Sequence, residues 1–348
     1  MRKRRLSLRD VHRVLIVKLS SLGDIIHVTP CIRAIRRALP ECEMTAVVDD
    51  RYARALQHNP HLDRIIETKS SNENRIARFL KIRRQLREVR RQRFDLAIDF
   101  QGLEKSAMWV YASGARFKAG RGSTRLGWSL VVHPDLTRHA VEVCAEIAEA
   151  IGFDVTNLEP EVFITREEES ELEALLQAHG LPESGFLVFS PFNRRSSKVW
   201  PAERYAELGL ALHRDTGLPI AISGSPLEVS FNDTLNPLFE AGAAVSLVGK
   251  TTVGQAFALY RRARLLVAGD TGPAHAAAAL ATPVVALFGP TLPERTRPWG
   301  AAHTVVQKLR PATHDAYHTD SAGIHISAID VDSVYDAVMA KLGAVTTP

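Results

Sequence analysis

Residues 264–291 read RLLVAGDTGPAHAAAALATPVVALFGPT, and this stretch decides the fold of the second half of the chain. Residues 265–268 and 284–288 are short apolar runs of the kind that form buried strands. The alanine-rich residues 274–280 between them favour a helix, and Pro273 suits its first turn. The stretch therefore predicts a strand, a sharp turn, a helix and a second strand.

The turn at residues 270–273 has the character of a phosphate-binding site. Thr271 is a suitable N-cap residue, so a helix is expected to begin directly after a buried strand. Its first N–H groups and the positive end of its dipole then point to one place, outside the carboxyl end of a strand. One interpretation is a nucleotide diphosphate bound at Thr271 and Gly272. The other is a tight strand–helix connection without a ligand, and this stretch alone gives the two equal weight.

Composition places the chain among globular proteins of about two domains. It has 348 residues, of which 45% are apolar. Its three cysteines are too few and too scattered for a disulfide framework or a zinc site, which indicates a reducing compartment such as the cytoplasm. The net charge of +5 favours an anionic partner: phosphate, nucleic acid or an acidic membrane surface.

The sequence predicts no transmembrane helix. The longest apolar stretch, residues 274–289, is interrupted by Thr282 and Pro283 and is shorter than the roughly 20 residues that a membrane span needs. The N-terminus is basic like a signal peptide, but the apolar run that follows is short and contains Lys18. We expect a basic tail and then a first strand.

Strands and helices alternate along the chain in two sets. The first set of predicted strands covers residues 14–17, 44–48, 64–67, 95–100 and 117–119, and its helices cover 25–39, 51–57, 73–91, 103–111 and 140–151. The second set of strands covers 186–189, 220–222, 245–248, 265–268, 284–288 and 304–306, and its helices cover 202–214, 227–238, 254–262 and 274–280. Residues 156–160 and an acidic helix at 167–178 form the expected hinge region, 310–326 a loop and 330–342 a last helix. Such alternation predicts α/β domains with parallel sheets covered by helices on both faces.

The turn at residues 20–24, SSLGD, is the first candidate for chemistry. Gly23 allows a close backbone approach, and Asp24 follows it at the start of a helix. A carboxylate at this place either stabilises the helix dipole or acts as a general base. A second candidate site in the other half of the chain, residues 191–200, favours the general-base role for Asp24.

The loop PFNRRSSKVW at residues 191–200 is that second candidate. It lies between a strand and a helix and carries Arg194, Arg195 and Lys198. These cations are either solvated or neutralise charge on a leaving diphosphate. His275 is assigned a binding role, as a donor to a backbone carbonyl or a phosphate. We expect Trp200 to be a core residue.

The basic helix at residues 75–93 is a third feature, with nine Lys or Arg residues and one acidic residue, Glu88. It either presents a solvated face or rests on an anionic membrane surface. No nucleic-acid-binding module accompanies the charge, so we expect no nucleic-acid partner. The absence of the GxGxxG and GxxxxGK[ST] motifs argues against a dinucleotide oxidoreductase and a P-loop NTPase. No metal-ligand spacing is present, so no metal site is predicted.

With these residues assembled, the chain resembles the bacterial lipopolysaccharide heptosyltransferases of glycosyltransferase family 9. The matching stretches are VLIVKLSSLGDIIHVTP, FDLAIDFQGLEKSA, SSKVWP and DTGPAHAAAALATPVVALFGPT, in both halves of the chain. The resemblance implies a GT-B fold, with two Rossmann-like parallel-sheet domains facing each other across a cleft. It also implies transfer of L-glycero-D-manno-heptose from an ADP-activated donor with inversion, without a metal or other cofactor.

The resemblance also suggests how the chain is divided. Residues 1–160 would form the acceptor-side domain and 161–328 the donor-binding domain. Residues 329–348 would form a C-terminal helix that packs back on the N-terminal domain. The expected acceptor is an anionic lipid-linked saccharide, lipid A–Kdo. The expected enzyme is a cytoplasmic monomer, peripheral on the inner membrane.

Carried over by motif, the resemblance assigns roles to individual residues. Asp24 corresponds to the general base and Lys198 to a contact of the donor phosphate or sugar. The residues assigned to the donor site are Asn193, Arg194, Asp270, Thr271, Gly272 and His275, with Asp270 on the heptose hydroxyls and Thr271 and Gly272 at the diphosphate. The residues assigned to the acceptor side are Gly23, Asp99, Gln101, Lys105, Arg121 and Arg125.

Two alternatives stay open at this point. The loop before Lys198 reads Asn-Arg-Arg-Ser-Ser, whereas well-known heptosyltransferases carry Thr and Asp there, and residues 293–300 match the broader family. The chain could therefore use another nucleotide sugar for a different surface polysaccharide. A non-catalytic nucleotide-sugar-binding module is the alternative of another class.

Overall fold

The computed structural model describes residues 7–68, 75–121, 127–311 and 324–345. The chain divides into two compact units, Met1–Phe163 and Ile164–Pro348. The sequence placed this boundary after Pro160. Each unit contains one six-stranded sheet.

The sheet of the first unit is parallel throughout, in the order β3-β2-β1-β4-β5-β6. Its strands are β1 (Arg13–Val17), β2 (Glu43–Asp49), β3 (Arg64–Thr68), β4 (Leu96–Asp99), β5 (Phe117–Gly120) and β6 (Leu130–Val131). Val17 at the end of β1 stands beside Val47 of β2 and Asp99 of β4. Four consecutive residues of β1 are buried because helices cover both faces of a parallel sheet. The two-residue strand β6 was not predicted, since it is too short to show a period.

Helices of the first unit are α1 (Leu22–Ile26), α2 (Thr29–Ala38), α3 (Arg75–Arg91), α4 (Glu104–Ser113) and α5 (Ala140–Ile151), with a 3₁₀ helix at Asp50–Ala55. Helix α5 has the predicted limits. It ends at Gly152, whose φ of +115° is a conformation that other residues rarely adopt.

The single helix predicted for residues 25–39 is in fact two helices, α1 and α2. Pro30 lies in the first turn of α2 and has no N–H to donate to the carbonyl of Ile26. The hydroxyl of Thr29 donates to that carbonyl instead, at 2.8 Å. The prediction was wrong here because it followed the apolar period of the segment and overlooked the proline.

The sheet of the second unit is also parallel, in the order β12-β11-β10-β7-β8-β9. Its strands are β7 (Leu187–Ser190), β8 (Ile220–Ile222), β9 (Ala244–Ser246), β10 (Leu265–Gly269), β11 (Val284–Leu287) and β12 (Thr304–Val306). Strands β10 and β11 are adjacent and buried, as residues 264–291 predicted.

Helices of the second unit are α6 (Arg166–Ala178), α7 (Ala202–Thr216), α8 (Asn236–Glu240), α9 (Val253–Arg262), α10 (Gly272–Ala279), α11 (Pro293–Thr296), α12 (Ile324–Ser327) and α13 (Val331–Val345). The helix predicted for 227–238 is a 3₁₀ helix, Pro226–Leu235, followed by α8. Most of the loop predicted for 310–326 lies outside the described residues, and its end belongs to α12.

Helix α13 packs on the core of its own unit. Val334, Val338 and Leu342, spaced four residues apart, enter the core that also contains Leu187 of β7 and Val267 of β10. The hydroxyl of Tyr335 donates to Asp215 at the end of α7, at 2.7 Å. The apolar stripe of α13 is thus buried within its own unit. In the part of the chain that the structure describes, no helix is long and apolar enough to cross a membrane.

Candidate functional site

Both sheets have the same strand order, and this order defines one place in each sheet where ligands bind. In each unit the first strand in the chain lies beside the fourth, at β1 and β4 and again at β7 and β10. The connections leave these two strands in opposite directions, which opens a crevice at their carboxyl ends. The segments at the two crevices are residues 18–24 and 99–102 in the first unit and 191–198 and 270–272 in the second.

Asp24 lies at the crevice of the first unit, in the first turn of α1. Its Oδ2 accepts hydrogen bonds from the backbone N–H of Ser21 at 2.9 Å and from the Ser21 hydroxyl at 2.8 Å. The buried ammonium of Lys18 lies 3.8 Å from Oδ1, and the Asp24 side chain is 44% exposed. The turn therefore presents a carboxylate, held by its own neighbours, to the solvent.

Asp99 and Gln101 shape the crevice and were assigned to the acceptor site. Asp99 is fully buried and accepts from the N–H groups of Gln101 and Gly102 and from the Ser106 hydroxyl, at 2.8–3.0 Å. Its burial raises its pKa to about 6, against the opposing effect of these hydrogen bonds. Both of its carboxylate oxygens hold the loop after β4 and the start of α4, and its assignment to acceptor contacts stays a prediction.

Gln101 links the two connections at this crevice. Its Oε1 accepts from the backbone N–H groups of Leu19 and Ser20, at 3.2 and 3.3 Å. These bonds hold the turn that leads to Asp24 against the loop after β4. The carbonyl of the Gln101 side chain therefore positions the turn.

Four further residues were assigned to the acceptor side. Gly23 is buried inside α1, next to Asp24. Arg121 follows β5, donates its N–H to Asp99 O at 3.0 Å and packs its stem over Gly102, which has a φ of +75°. Lys105 is exposed in the first turn of α4. Arg125 lies outside the described residues.

Asp270 is the centre of the second crevice. Its side chain is 7% exposed, and Oδ2 accepts from Lys198 Nζ at 2.5 Å and from the Thr291 hydroxyl at 2.9 Å. His275 Nε2 lies 3.8 Å from Oδ1. Burial by itself would raise the Asp270 pKa, but the charge of Lys198 and the hydrogen bonds hold it well below its usual range. The pair is therefore an ionised carboxylate bound to an ammonium.

The loop after β7 is tied to the end of β10 by Asn193. Its Nδ2 donates to Asp270 O at 3.1 Å, and its Oδ1 accepts from the Arg195 N–H at 3.1 Å. This arrangement orders the loop and leaves the side chains of Arg194 and Arg195 exposed. Trp200 is a core residue, as predicted, with its Nε1 donating to Ile329 O at 2.9 Å.

Helix α10 begins at Gly272, directly after β10 and Asp270. Thr271 occupies the N-cap position, but its hydroxyl donates to Gly269 O at 3.3 Å and does not cap the helix. The first N–H groups of α10 are therefore not occupied by the Thr271 side chain. A helix start of this kind favours an anion.

Comparison with known proteins decides the family. The model of glycosyltransferase family 9 (heptosyltransferase) matches residues 82–325. The chain belongs to this family. It is therefore a glycosyltransferase.

Individual relatives agree with this membership. Lipopolysaccharide heptosyltransferase 1 of Salmonella typhimurium is 27% identical over 299 residues, which cover 81% of this chain and 89% of that protein. The structure of a family 9 glycosyltransferase from Veillonella parvula superposes with a TM-score of 0.82 at 24% identity, covering 98% of this chain and all of that one. The structure of E. coli heptosyltransferase WaaC with ADP-2-deoxy-2-fluoro heptose has a TM-score of 0.71 at 23% identity, covering 94% and 99%. The fold class predicted from the sequence, GT-B, is confirmed.

Sequence reasoning missed three residues in or next to the two crevices. Lys18 follows β1 directly, and a lysine at the end of a buried strand is a signal that could have been used. Thr291 and Gln307 gave no local signal: Thr291 reaches Asp270 from 21 residues away, and Gln307 Nε2 donates to the carbonyls of Gly289 and Thr291 at 3.0 Å.

Proposed function

We propose that this chain is an inverting glycosyltransferase that moves heptose from ADP-L-glycero-D-manno-heptose to the lipid A–Kdo inner core, without a metal. The observation that carries the proposal is the pair of strand–turn–helix crevices. One presents a half-exposed carboxylate, and the other combines a buried ion pair with a helix start and an arginine-bearing loop. The first suits a base and the second suits an ADP-sugar.

Asp24 is the proposed general base. It removes the proton of an acceptor hydroxyl while the oxygen of that hydroxyl attacks the anomeric carbon of the donor. The bond between the anomeric carbon and the β-phosphate oxygen breaks, and its electrons leave with ADP. Because attack comes from the face opposite ADP, the configuration inverts. Ser21 keeps one Asp24 oxygen oriented through its two hydrogen bonds.

The donor diphosphate is the proposed ligand of the second crevice. Lys198 and Asp270 cancel each other's charge, so the positive character at this place depends on the start of α10 and on Arg194. An ammonium has three N–H donors, and Lys198 can therefore bind a phosphate oxygen while it stays on Asp270. These groups stabilise the charge that develops on ADP, which is the role that a metal takes in other transferases.

Asp270 is proposed to organise this crevice and not mainly to bind the sugar hydroxyls. Its Oδ2 is already shared between Lys198 and Thr291, and its backbone carbonyl accepts from Asn193. His275, Thr271 and Gly272 remain donor-binding residues in the proposal.

On the acceptor side, Lys105 and Arg121 are the described cations assigned to the anionic saccharide. The protein is proposed to be a monomer that is peripheral on the inner membrane. The cytoplasm is its proposed compartment, because its three cysteines are free thiols, as is usual in a reducing compartment. No nucleic-acid partner and no other cofactor are proposed.

A donor panel tests the function. Purified protein is mixed with lipid A–Kdo and with ADP-heptose, UDP-sugars or GDP-sugars, in buffer with EDTA, and products are identified by mass spectrometry. We expect one heptose to be added from ADP-heptose only. Transfer from another nucleotide sugar would replace the proposed donor, and loss of turnover in EDTA that Mg²⁺ restores would refute the metal-free step.

A further inference from the structure

Large apolar side chains are concentrated on one part of the surface of the first unit. Among the described residues, eleven large apolar side chains are exposed, and five of them lie on α3, on α4 or directly before α4. These five are Phe79, Leu80, Leu103, Met108 and Tyr111. Phe79 is 64% exposed and Tyr111 62%. Exposed apolar side chains that cluster in this way mark interaction sites, whereas single exposed apolar residues are ordinary.

Helices α3 and α4 contact each other along one side of the sheet. Their inner residues, Ile82, Leu86 and Val89 of α3 and Ala107 and Val110 of α4, belong to or pack against one core cluster. Each helix follows the carboxyl end of a parallel strand, β3 or β4, so the first turns of both lie at the same edge of the sheet. Leu80, Met108 and Tyr111 therefore lie on the outer side of a helix pair whose inner side is committed to the core. Phe79 lies in line with Ile82 of the inner side and is exposed in the first turns of α3.

The same outer side is strongly basic. Leu80, Arg84, Arg87 and Arg91 recur at spacings of three and four on α3, and the three arginines are exposed. The one acidic residue of α3, Glu88, forms an ion pair with Arg64. On α4, Glu104 shares its side with Met108 and Tyr111 and has Lys105 as its neighbour. The surface formed by Phe79, Leu80, Met108 and Tyr111 with the arginines of α3 is called the α3–α4 surface below.

We propose that the α3–α4 surface docks on an anionic lipid bilayer. The occupant follows from its chemistry: arginines attract anionic headgroups, and aromatic and aliphatic side chains enter the boundary between headgroups and acyl chains. A nucleic acid would use the arginines but leave the exposed leucine and methionine in water. The inference deepens the proposed function, since docking would bring a lipid-linked acceptor to the enzyme, but it is carried by the surface itself.

Vesicle binding of the full chain tests the docking. Sedimentation is measured with vesicles of phosphatidylglycerol and phosphatidylcholine and with phosphatidylcholine alone. We expect binding to the anionic vesicles only. The variant Arg84→Gln, Arg87→Gln, Arg91→Gln should bind about 100-fold more weakly, because each basic residue near an anionic surface contributes roughly fivefold. The variant Phe79→Ser, Tyr111→Ser should lose about tenfold, because it removes the side chains that enter the bilayer.

Matched control variants make changes of the same kind, loss of positive charge or of an exposed apolar side chain, outside the surface. Arg116→Gln, Arg214→Gln, Lys250→Gln removes three positive charges elsewhere, and Leu227→Ser removes a side chain that is 92% exposed in the second unit. Both should bind vesicles like the unaltered protein, and all four variants should melt at its temperature. Equal losses in the control and surface variants would overturn a localised docking surface. Binding of a DNA or RNA duplex that is lost in the surface variants would also overturn it, in favour of nucleic acid.

Activity on a de-acylated, water-soluble acceptor separates docking from catalysis. The surface variants should keep full turnover on this substrate and lose it on the acceptor in vesicles. An unaltered protein that transfers heptose but binds no anionic vesicle would refute the docking and leave the proposed function standing. An unaltered protein that binds anionic vesicles but transfers no sugar would refute the proposed function and leave the docking standing.

Discussion

The two carboxylates that follow the strand ends of this molecule, Asp24 and Asp270, differ in almost every physical respect. Asp24 is 44% exposed and takes two hydrogen bonds from Ser21, three residues earlier. Asp270 is 7% exposed, and its partners Lys198 and Thr291 lie 72 and 21 residues away in the chain. The same strand–turn–helix arrangement has produced a carboxylate held locally and one held by the tertiary structure.

The difference separates two roles. A half-exposed carboxylate can reach a hydroxyl of a bound molecule, whereas a buried one that is shared among several donors keeps those donors in place. We therefore expect substitutions at Asp24 to affect turnover more than stability, and substitutions at Asp270 to affect stability at least as strongly as turnover.

The largest expected effect is on turnover at Asp24. Asp24→Asn should lower kcat by roughly 10²–10⁴-fold, the usual contribution of a general base, with the donor dissociation constant unchanged. Initial-rate kinetics and donor titration by calorimetry measure both. Asp50→Asn, at the carboxyl end of the neighbouring strand β2, is the matched control and should keep its activity. Near-full turnover of Asp24→Asn would remove Asp24 as the base.

The next effect is on the free energy of unfolding at Asp270. Asp270→Ala leaves the Lys198 ammonium mostly buried without its carboxylate and should destabilise the protein by about 3–5 kcal/mol. The double variant Lys198→Met, Asp270→Leu should regain most of that loss while remaining inactive, because it removes both charges together. Asp24→Ala should cost only about 1 kcal/mol, as for a helix-terminus carboxylate. Urea unfolding would contradict the comparison if the two single variants were equally stable.

A third effect depends on pH and concerns Asp99. The folded protein raises the pKa of Asp99 to about 6 from its ordinary value of 3.8, so the folded state binds more protons than the unfolded state in this window. The contribution of Asp99 to the free energy of unfolding is thus fully present below pH 3.8. It falls by up to about 3 kcal/mol as the pH rises to 6, and it is constant above pH 6. Asp99→Asn has no such titration. Its stability relative to the unaltered protein should therefore increase between pH 4 and pH 6, as measured by urea unfolding at each pH; a constant difference would contradict the raised pKa.

The smallest effect is expected at Thr271. Its hydroxyl bonds to Gly269 O and does not cap α10, so Thr271→Ala should change stability by less than about 0.5 kcal/mol. Thr252, whose hydroxyl accepts from Gln255 N–H at the start of α9, is the matched comparison. Thr252→Ala should cost about 1 kcal/mol. Thermal melting of both variants decides the point, and equal losses would show that Thr271 caps its helix.

Much of the fold could be predicted because local patterns of residues determine it. The buried runs at β1, β10 and β11, the start of α7 after Pro201 and the end of α5 at Gly152 each depend on residues a few positions apart. The prediction of one helix at residues 25–39 was wrong because Pro30 starts a new helix, α2, although the apolar residues of the segment keep a helical period. For α13, the apolar stripe predicted a buried face, but only the structure shows that Val334, Val338 and Leu342 enter the core beside β7 and β10.

Less of the candidate site could be predicted. The motifs marked Asp24, Lys198 and Asp270, since each follows or precedes a recognisable turn. They did not show that Lys198 and Asp270 form an ion pair, that Thr291 joins them or that Asp99 is a buried anchor of its own loop. Each of these contacts joins segments that are brought together only by the order of the strands or the packing of a helix.

The sequence by itself determined where strands, turns and helix starts lie, because hydrophobic period, glycine, proline and capping residues act within one turn or one strand. The tertiary structure alone decided which turns stand side by side, and with them the burial and partners of each charged group. The physical reason is that the pairing of strands distant in the chain depends on the burial of the whole sheet, which no single segment specifies. For this reason Asp24 and Asp270, which both lie between a strand and a helix in the sequence, differ in burial and in partners in the folded protein.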